Sequence, residues 1–335
     1  MRYQVTVQPS GRQFAAEADE SLLDAALRQG LSMPYGCKDG ACGACKGQIL
    51  EGSVDHGKAQ LADADKAAGQ ALYCCARPTS DLVIECRQLR SAHDIPVKTL
   101  PARIESLERL APDVIELKLR LPASEQLAFL AGQYIDILLK DGRKRSFSLA
   151  NAPGEGKLLE LHIRHVPGGF FTEQVFTTLK VRDILRFSGP HGGFFLKNDA
   201  AKPVILLAGG TGFAPIKAIV EQALADGHAQ PLYIYWGARA RADLYQDALP
   251  AAWAAAHANI RYVPVLSAPA AGDAWNGRTG FVHQAVIEDF PDLSGFQVYA
   301  CGSPLMIDVA RQDLVARCGL PAEEFFSDAF TFSAS

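Results

Sequence analysis

The sequence predicts a multidomain chain of α+β and α/β class: a small sheet crossed by one helix, then an antiparallel barrel, then a parallel α/β domain. Three observations carry this. Cys37, Cys42 and Cys45 form a Cys-x4-Cys-x2-Cys run, with a lone Cys74 after it. The middle of the chain is a series of short strand patterns parted by Gly, Pro and Asn turns. The last part alternates apolar strands with helical stripes, and Gly209-Gly210-Thr211-Gly212 joins its first strand to its first helix.

Residues 1–92 form the first domain. Ser21 reads as an N-cap, with Asp24 completing a capping box. Leu23, Ala26 and Leu27 give one apolar stripe, and Gly30 ends the helix. Strands over Tyr3–Val7, Gln48–Leu50 and Leu82–Cys86 flank it, which makes a β-grasp arrangement with the cysteine loop at one edge. The cysteine spacing is that of thiolates holding a 2Fe-2S cluster in plant-type ferredoxins. Thiolates are soft ligands suited to iron and sulfide. Gly40, Ala41, Gly43 and Ala44 keep the loop small, so backbone N–H groups can approach the sulfurs. A structural zinc site fits less well, because Cys74 and Cys75 are adjacent and cannot easily offer both sulfurs to one metal. Cys74 is the better fourth ligand, since its Cys-x2-Arg-Pro-Thr-Ser-Asp run resembles the segment after the last ligand of such ferredoxins. Cys75 is then a bystander, and Cys86 and Cys318 are ordinary cysteines.

The stretch Ala92–Pro101 has two prolines and little periodicity, and reads as a linker. Residues 101–199 form the second domain. Ile115, Leu117, Leu119 and Leu121 alternate with Glu116, Lys118 and Arg120, as in a half-buried strand. Further strands are expected over Gln133–Leu139, Arg145–Ala150, Leu158–His165 and Ile184–Gly189, and together they suggest a closed barrel. Within it, Arg145-Ser146-Phe147-Ser148 combines an Arg that can bridge a pyrophosphate, an aromatic that can cover a flavin and a Ser that can bond the ring edge. Gly168-Gly169-Phe-Phe-Thr172 can open a helix whose N–H groups meet phosphate. Gly189–Phe194 reads as a turn.

Residues 200–335 form the third domain. Val204–Ala208 is a continuous apolar run, as a buried parallel strand requires. Ile216, Ile219, Val220, Ala223 and Leu224 come next at core spacing, and Tyr233–Gly237, Arg261–Leu266 and Gln297–Cys301 are the next strands. Ala251–Ala258 reads as a helix. Gly209–Gly212 permits a tight turn and close approach of backbone to a pyrophosphate, although it is not Gly-x-Gly-x-x-Gly. Cys301-Gly302 ends a strand at the sheet's C-terminal edge, where ligands of open sheets bind and a thiol can lie beside a nicotinamide. Arg239, Arg241 and Asp243 come after another strand and leave NADH and NADPH both open.

The formal net charge of −4 gives no case for nucleic acid or anionic membrane. No apolar run approaches the roughly 20 residues of a spanning helix. The opening Met1–Val7 reads as a strand without an apolar signal core, and the free cysteines point to the cytoplasm.

Taken together, these motifs resemble the ferredoxin–NADP reductase superfamily in its three-domain form. Arg145-Ser146-Phe147-Ser148 is similar to the Arg-x-Tyr-Ser flavin motif, with Phe147 in place of Tyr. That change loses a phenol hydroxyl but keeps the stacking face. The resemblance implies NADH (or NADPH), FAD and a 2Fe-2S cluster, with electrons passing in that order to a protein acceptor. It implies that Arg145 and Thr172 hold FAD phosphates, that Ser148 and Cys301 line the hydride-transfer site, and that Phe330, in Phe325-Phe-Ser-Asp-Ala-Phe330, shields the flavin. The acceptor it implies is a pyridoxamine-phosphate dehydrase acting on a CDP-sugar, or alternatively a Rieske or di-iron oxygenase component. A redox sensor that merely carries a cluster is a remote third reading, which the nucleotide loop disfavours.

Overall fold

The structure, a computed structural model, describes residues 1–41, 43–86, 90–91, 95–154, 158–197 and 202–330. It divides into two compact units, Met1–Pro96 with Gly192–Phe194, and Val97–His191 with Phe195–Ser335.

The first unit opens with a hairpin of β1 (Arg2–Gln8) and β2 (Arg12–Glu17), followed by α1 (Leu22–Arg28). Ser21 Oγ accepts the Asp24 N–H at 3.1 Å. The Asp24 carboxylate takes the Ser21 hydroxyl at 2.7 Å instead of reaching back to a backbone N–H, so only half of the expected capping box forms. Then come β3 (Leu31–Ser32), β4 (Lys46–Glu51), β5 (Val54–Asp55), α2 (Asp63–Ala67), β6 (Gln70–Leu72), β7 (Arg77–Pro78), β8 (Leu82–Glu85) and β9 (Arg90–Ser91). A five-stranded sheet runs β2-β1-β8-β4-β6, with β1 and β8 parallel. Val5, Val7, Phe14, Leu22, Leu23, Leu72 and Ile84 fill the core beneath it. The sequence reading missed α2, which buries nothing, and the strands β2, β3, β5, β6, β7 and β9. Of these strands, β2 carries three consecutive buried residues instead of an alternation, and the others are only two or three residues long.

The second unit begins with β10 (Lys98–Ala111), β11 (Val114–Arg120), β12 (Tyr134–Leu138), β13 (Lys144–Ser148), β14 (Leu158–Arg164), α3 (Phe170–Thr177) and β15 (Ile184–His191). The antiparallel order is β13-β12-β15-β10-β11-β14. The ends meet through a Leu149–Leu161 bridge and the Ala150 N–H on the Glu160 carbonyl at 2.7 Å, which closes the barrel. Two expectations change here. The linker is shorter than Ala92–Pro101, because β10 starts at Lys98; of the rest, 92–94 lie outside the described residues. Pro101 is tolerated because it faces only Arg186 of β15, and pairing with β11 starts at Arg103. The strand expected to stop at Gly189 continues to His191, so the turn begins at Gly192.

The same unit continues with β16 (Val204–Gly209), a 3-10 turn at Gly210–Gly212, α4 (Phe213–Ala225), β17 (Leu232–Ala238), α5 (Ala248–Ala256) and β18 (Ile260–Leu266). It ends with β19 (Arg278–Thr279), α6 (Val282–Asp289), β20 (Gln297–Gly302), α7 (Pro304–Cys318) and β21 (Phe325–Ala329). The sheet order is β19-β18-β17-β16-β20-β21, and every pairing is parallel. Central β16 and β20 are buried along almost their whole length, which explains their unbroken apolar sequence. Ser303 caps α7 by accepting the Met306 N–H at 3.3 Å, and Gly319 ends that helix at φ +66°.

In the barrel core, Leu161 is fully buried among Leu117, Leu149, Ile163 and Phe187. Leu161→Ala should cost about 2–5 kcal/mol through the cavity left behind. Chemical denaturation followed by circular dichroism measures this, and a loss below about 1 kcal/mol would mean the barrel does not depend on that packing.

Candidate functional site

The cysteine loop lies between β3 and β4, and Cys74 lies between β6 and β7. Cys37 is half-buried, and Cys45, Cys74 and Cys75 are buried. Cys42 lies outside the described residues. The Sγ atoms of Cys45 and Cys74 are 3.2 Å apart, and Cys75 Sγ is 3.8 Å from Cys74 Sγ. The hydrogen bond with Cys45, then burial, pushes the Cys74 thiol far above its usual range. Burial, then the neighbouring Cys74, pushes Cys75 up to about 12. Sulfurs this close and this dry repel one another once deprotonated, so as thiolates they need a soft cation between them, and the donor set fits iron. Gly40 has φ +84°, and a Cβ there would stand 2.7 Å from Cys75 Sγ.

Sequence reasoning missed the anchor of Cys74. The Tyr73 hydroxyl reaches the carbonyls of Gln48 (3.0 Å) and Glu85 (2.8 Å), tying Cys74 to β4 and β8. A Cβ on Gly47 would lie 2.3 Å from that hydroxyl, so Gly47 makes room for it.

On β13, alternation sends Arg145 and Phe147 to one face and Ser146 and Ser148 to the other. Arg145 is half-buried, and its Nη1 donates to the Lys144 carbonyl at 2.8 Å. Ser146 donates to Asp136 Oδ1 at 2.7 Å. The Phe147 ring lies 5.4 Å from Phe171. α3 starts after Gly168, at φ +75°, and Gly169, whose lack of a side chain leaves the first N–H groups of the helix to an outside anion. The Thr172 hydroxyl turns into its own loop. It has the Val166 and Gly169 carbonyls at 3.1 Å as acceptors, and takes the Val166 N–H at 3.2 Å.

The nucleotide turn is shaped by backbone contact. A Cβ on Gly212 would sit 2.1 Å from the Cys301 carbonyl oxygen, and one on Gly209 would sit 2.5 Å from Met306 Sδ. Gly210 has φ +54°, and its carbonyl accepts the Trp236 indole N–H at 2.9 Å. Glycine is therefore required at these places, because the chain's own Cys301 carbonyl and Met306 lie against the turn. Thr211 completes the 3-10 turn. Arg164 of β14, which sequence reasoning passed over, ends beside Gly210. Its Nε and Nη2 are buried without a hydrogen bond, and its ion pair with Asp113 is stretched to 3.5 Å.

Cys301, fully buried, pairs in register with Asp328 of β21. Ser148 Oγ is 3.5 Å from Asp328 Oδ2, which brings the end of β13 to the ends of β20 and β21. Phe330 is half-buried and donates its N–H to the Gly302 carbonyl at 2.8 Å. Ser148, Cys301, Gly302 and Phe330 thus surround one place. Asp328 is a further residue that sequence reading missed, because a lone aspartate among aromatics and small residues reads as surface.

Burial raises the Asp328 carboxyl to about 6, against an opposing Ser148 hydrogen bond. A carboxyl with a raised folded-state pKa holds its proton in the fold where the unfolded chain has lost it. Stability therefore falls as pH rises from the unfolded value near 3.8 through about 6. Asp328→Asn should gain little at pH 4 and about 1–3 kcal/mol at pH 7 relative to the parent chain. Melting midpoints of both proteins across that range test this, and a pH-independent difference would refute it.

Three family models match the chain in sequence: a 2Fe-2S iron-sulfur cluster binding domain over residues 5–79, an oxidoreductase FAD-binding domain over 101–196 and an oxidoreductase NAD-binding domain over 206–312. The CDP-6-deoxy-L-threo-D-glycero-4-hexulose-3-dehydrase reductase of Yersinia pestis is 44% identical over 98% of this chain and 99% of its own. The phenol hydroxylase P5 protein of Acinetobacter pittii is 38% identical over 94% of this chain and 91% of its own. Among solved structures, the Amycolatopsis cytochrome P450 reductase GcoB superposes with a TM-score of 0.79 at 36% identity, covering 99% of this chain and all 100% of that one. The chain belongs to the ferredoxin–NADP reductase family, as an NAD(P)H-dependent electron-transfer reductase that combines FAD-binding and NAD-binding domains with an N-terminal 2Fe-2S domain.

Proposed function

We propose that this reductase serves a CDP-6-deoxy-4-hexulose-3-dehydrase, a pyridoxamine-phosphate enzyme of deoxysugar synthesis. The observation that carries this is the 44% identity, along the whole chain, to a reductase named for that dehydrase. The second reading, an oxygenase reductase component, rests on the 38% identity to the phenol hydroxylase P5 protein. When bound, nicotinamide supplies a hydride, FAD splits the electron pair and the cluster carries single electrons.

The residues divide this work. Cys37, Cys42, Cys45 and Cys74 hold the iron. Arg145 and the open N–H groups of α3 after Gly168 and Gly169 hold the FAD diphosphate, with Thr172 keeping that turn in shape. Phe147 would offer its ring to the flavin, and Ser146 steadies β13 through Asp136. Gly209, Gly210, Thr211 and Gly212 hold the nicotinamide nucleotide, with Arg164 beside them. Ser148, Cys301 and Phe330 line the place of hydride transfer, and Gly302 lets the chain pass close to Gly209. The preferred nucleotide is NADH. Asp243 and Asp273 stand in and beside the turn after β17, where their carboxylates would repel a 2′-phosphate, and Arg241 is turned to a backbone carbonyl, its Nη1 donating to the Asp273 carbonyl at 3.1 Å. The domain limits proposed are 1–92, 101–199 and 200–335. No helix among the described residues is long and apolar enough to cross a membrane. A thiolate-held cluster and reduced cysteines suit the cytoplasm, where the chain is proposed to act.

Cys74→Ser should lose the cluster and Cys75→Ser should keep it, read from iron content and the EPR signal of the reduced protein. The opposite pattern reverses the ligand assignment. The partner is tested by mixing NADH-reduced protein with the purified dehydrase or with an oxygenase component and following cluster reoxidation. Fast reoxidation by the dehydrase supports the reading, and reoxidation by the oxygenase alone replaces it with the second.

A further inference from the structure

We propose that Lys217 is the positioning residue that sets the nucleotide loop against the flavin motif. This rests on the reading of Gly209–Gly212 and Ser148 as one hydride-transfer site. Lys217 lies on α4, the helix that the nucleotide loop opens, and is buried. All three of its N–H donors are used. Nζ donates to the Ala150 carbonyl at 2.9 Å, and meets Glu160 Oε1 at 3.1 Å and Glu221 Oε1 at 2.7 Å.

Two of these three partners belong to the barrel. Ala150 is two residues beyond Ser148, and its own N–H is bonded to the Glu160 carbonyl at 2.7 Å. Glu221 returns to the same segment by accepting the Ala152 N–H at 3.1 Å. One ammonium therefore fixes the helix behind the nucleotide loop to the strand end that carries Ser148.

A second chain of contacts runs parallel to the first. Glu160 Oε1 is 2.9 Å from His162 Nε2, and His162 Nδ1 is 3.0 Å from the Tyr245 hydroxyl. Tyr245 stands edge-on to Trp236 at 5.1 Å, and Trp236 donates to the Gly210 carbonyl. Buried Glu116 lies in the same cluster, paired with Lys118 at 2.7 Å. Burial alone raises the Glu160 carboxyl, but the His162 hydrogen bond and the Lys217 charge outweigh it and hold the group below its ordinary range. Lys217 is thus the cation that α4 brings to Glu160, and it has one donor left over for Ala150.

Hydride transfer requires the donor carbon to be held close to its acceptor, so a small shift of one loop costs rate more than affinity. Lys217→Met keeps the side-chain stem and removes the ammonium. In anaerobic stopped-flow experiments on the full chain with its cofactors, flavin reduction by NADH should slow about tenfold or more, with a change in NADH affinity of no more than about threefold. FAD content and the visible spectrum of the cluster should stay as in the parent protein. The single variant takes the ammonium from the Glu160 and Glu221 carboxylates, with only His162 left beside Glu160, and should melt lower. Lys217→Met with Glu160→Gln removes one of those charges, so its midpoint should recover in part while flavin reduction stays slow. An unchanged rate in Lys217→Met, or a rate that recovers together with the midpoint in the double variant, overturns the positioning role. Ser148→Ala separates the two readings. If Ser148→Ala is slow and Lys217→Met is not, the site stands and the positioning role fails; if Ser148→Ala runs at the parent rate, both fail.

Discussion

Burying the Lys217 ammonium obliges the surrounding chain to supply oxygens, because taking an ion out of water costs several kcal/mol. Those oxygens come from Ala150 and Glu160 on the barrel side and Glu221 on α4. The magnitudes say what such a site is for. Breaking a buried pair costs about 3–5 kcal/mol, whereas replacing the whole pair with apolar groups is often neutral. A buried ion network is therefore weak as a source of stability and strong as a source of geometry. In this molecule the geometry it sets is that of a nucleotide turn against the end of β13, within one compact unit.

The turns themselves are governed by absence of side chains. Gly212 lies on the Cys301 carbonyl and Gly209 lies against Met306, so a methyl at either place would have to displace backbone or a packed thioether. Gly47 plays the same part in the first unit by admitting the Tyr73 ring that anchors Cys74. In each case the glycine contributes space and no chemistry of its own. The group that approaches is then a carbonyl, a thioether or a phenol.

Much of this was legible in the sequence, and for a physical reason. Ligand spacing within a loop, apolar runs in β16 and β20, and the stripe of α4 are local patterns, and local patterns come directly from backbone geometry. The illegible part depends on partners far along the chain. Glu116 alternates with leucines and reads as a solvent-facing residue of a half-buried strand, yet it is buried. It pairs with Lys118 and lies in one cluster with Glu160 and His162, and Glu160 in turn meets Lys217 of α4, in the next domain of the chain. Asp328 is hidden in the same way, since its hydrogen-bond partner Ser148 is 180 positions away. Helix α2 escaped because a short helix with no buried face leaves no periodic trace.

The burial of Cys301 limits its part in the proposed site. Burial first, and the nearby Asp328 second, push its thiol well above the usual range, so the sulfur keeps its proton at neutral pH. A protonated thiol is a poor nucleophile and a poor base. In the proposed site its contribution would be shape and polarisable contact, with no proton held for exchange at sulfur. The proton-holding group that titrates near neutrality is Asp328, reached from the flavin motif through Ser148. A dry thiol and a carboxyl raised to about 6 thus stand in register on the neighbouring strands β20 and β21, the first a group that keeps its proton and the second one that can change charge.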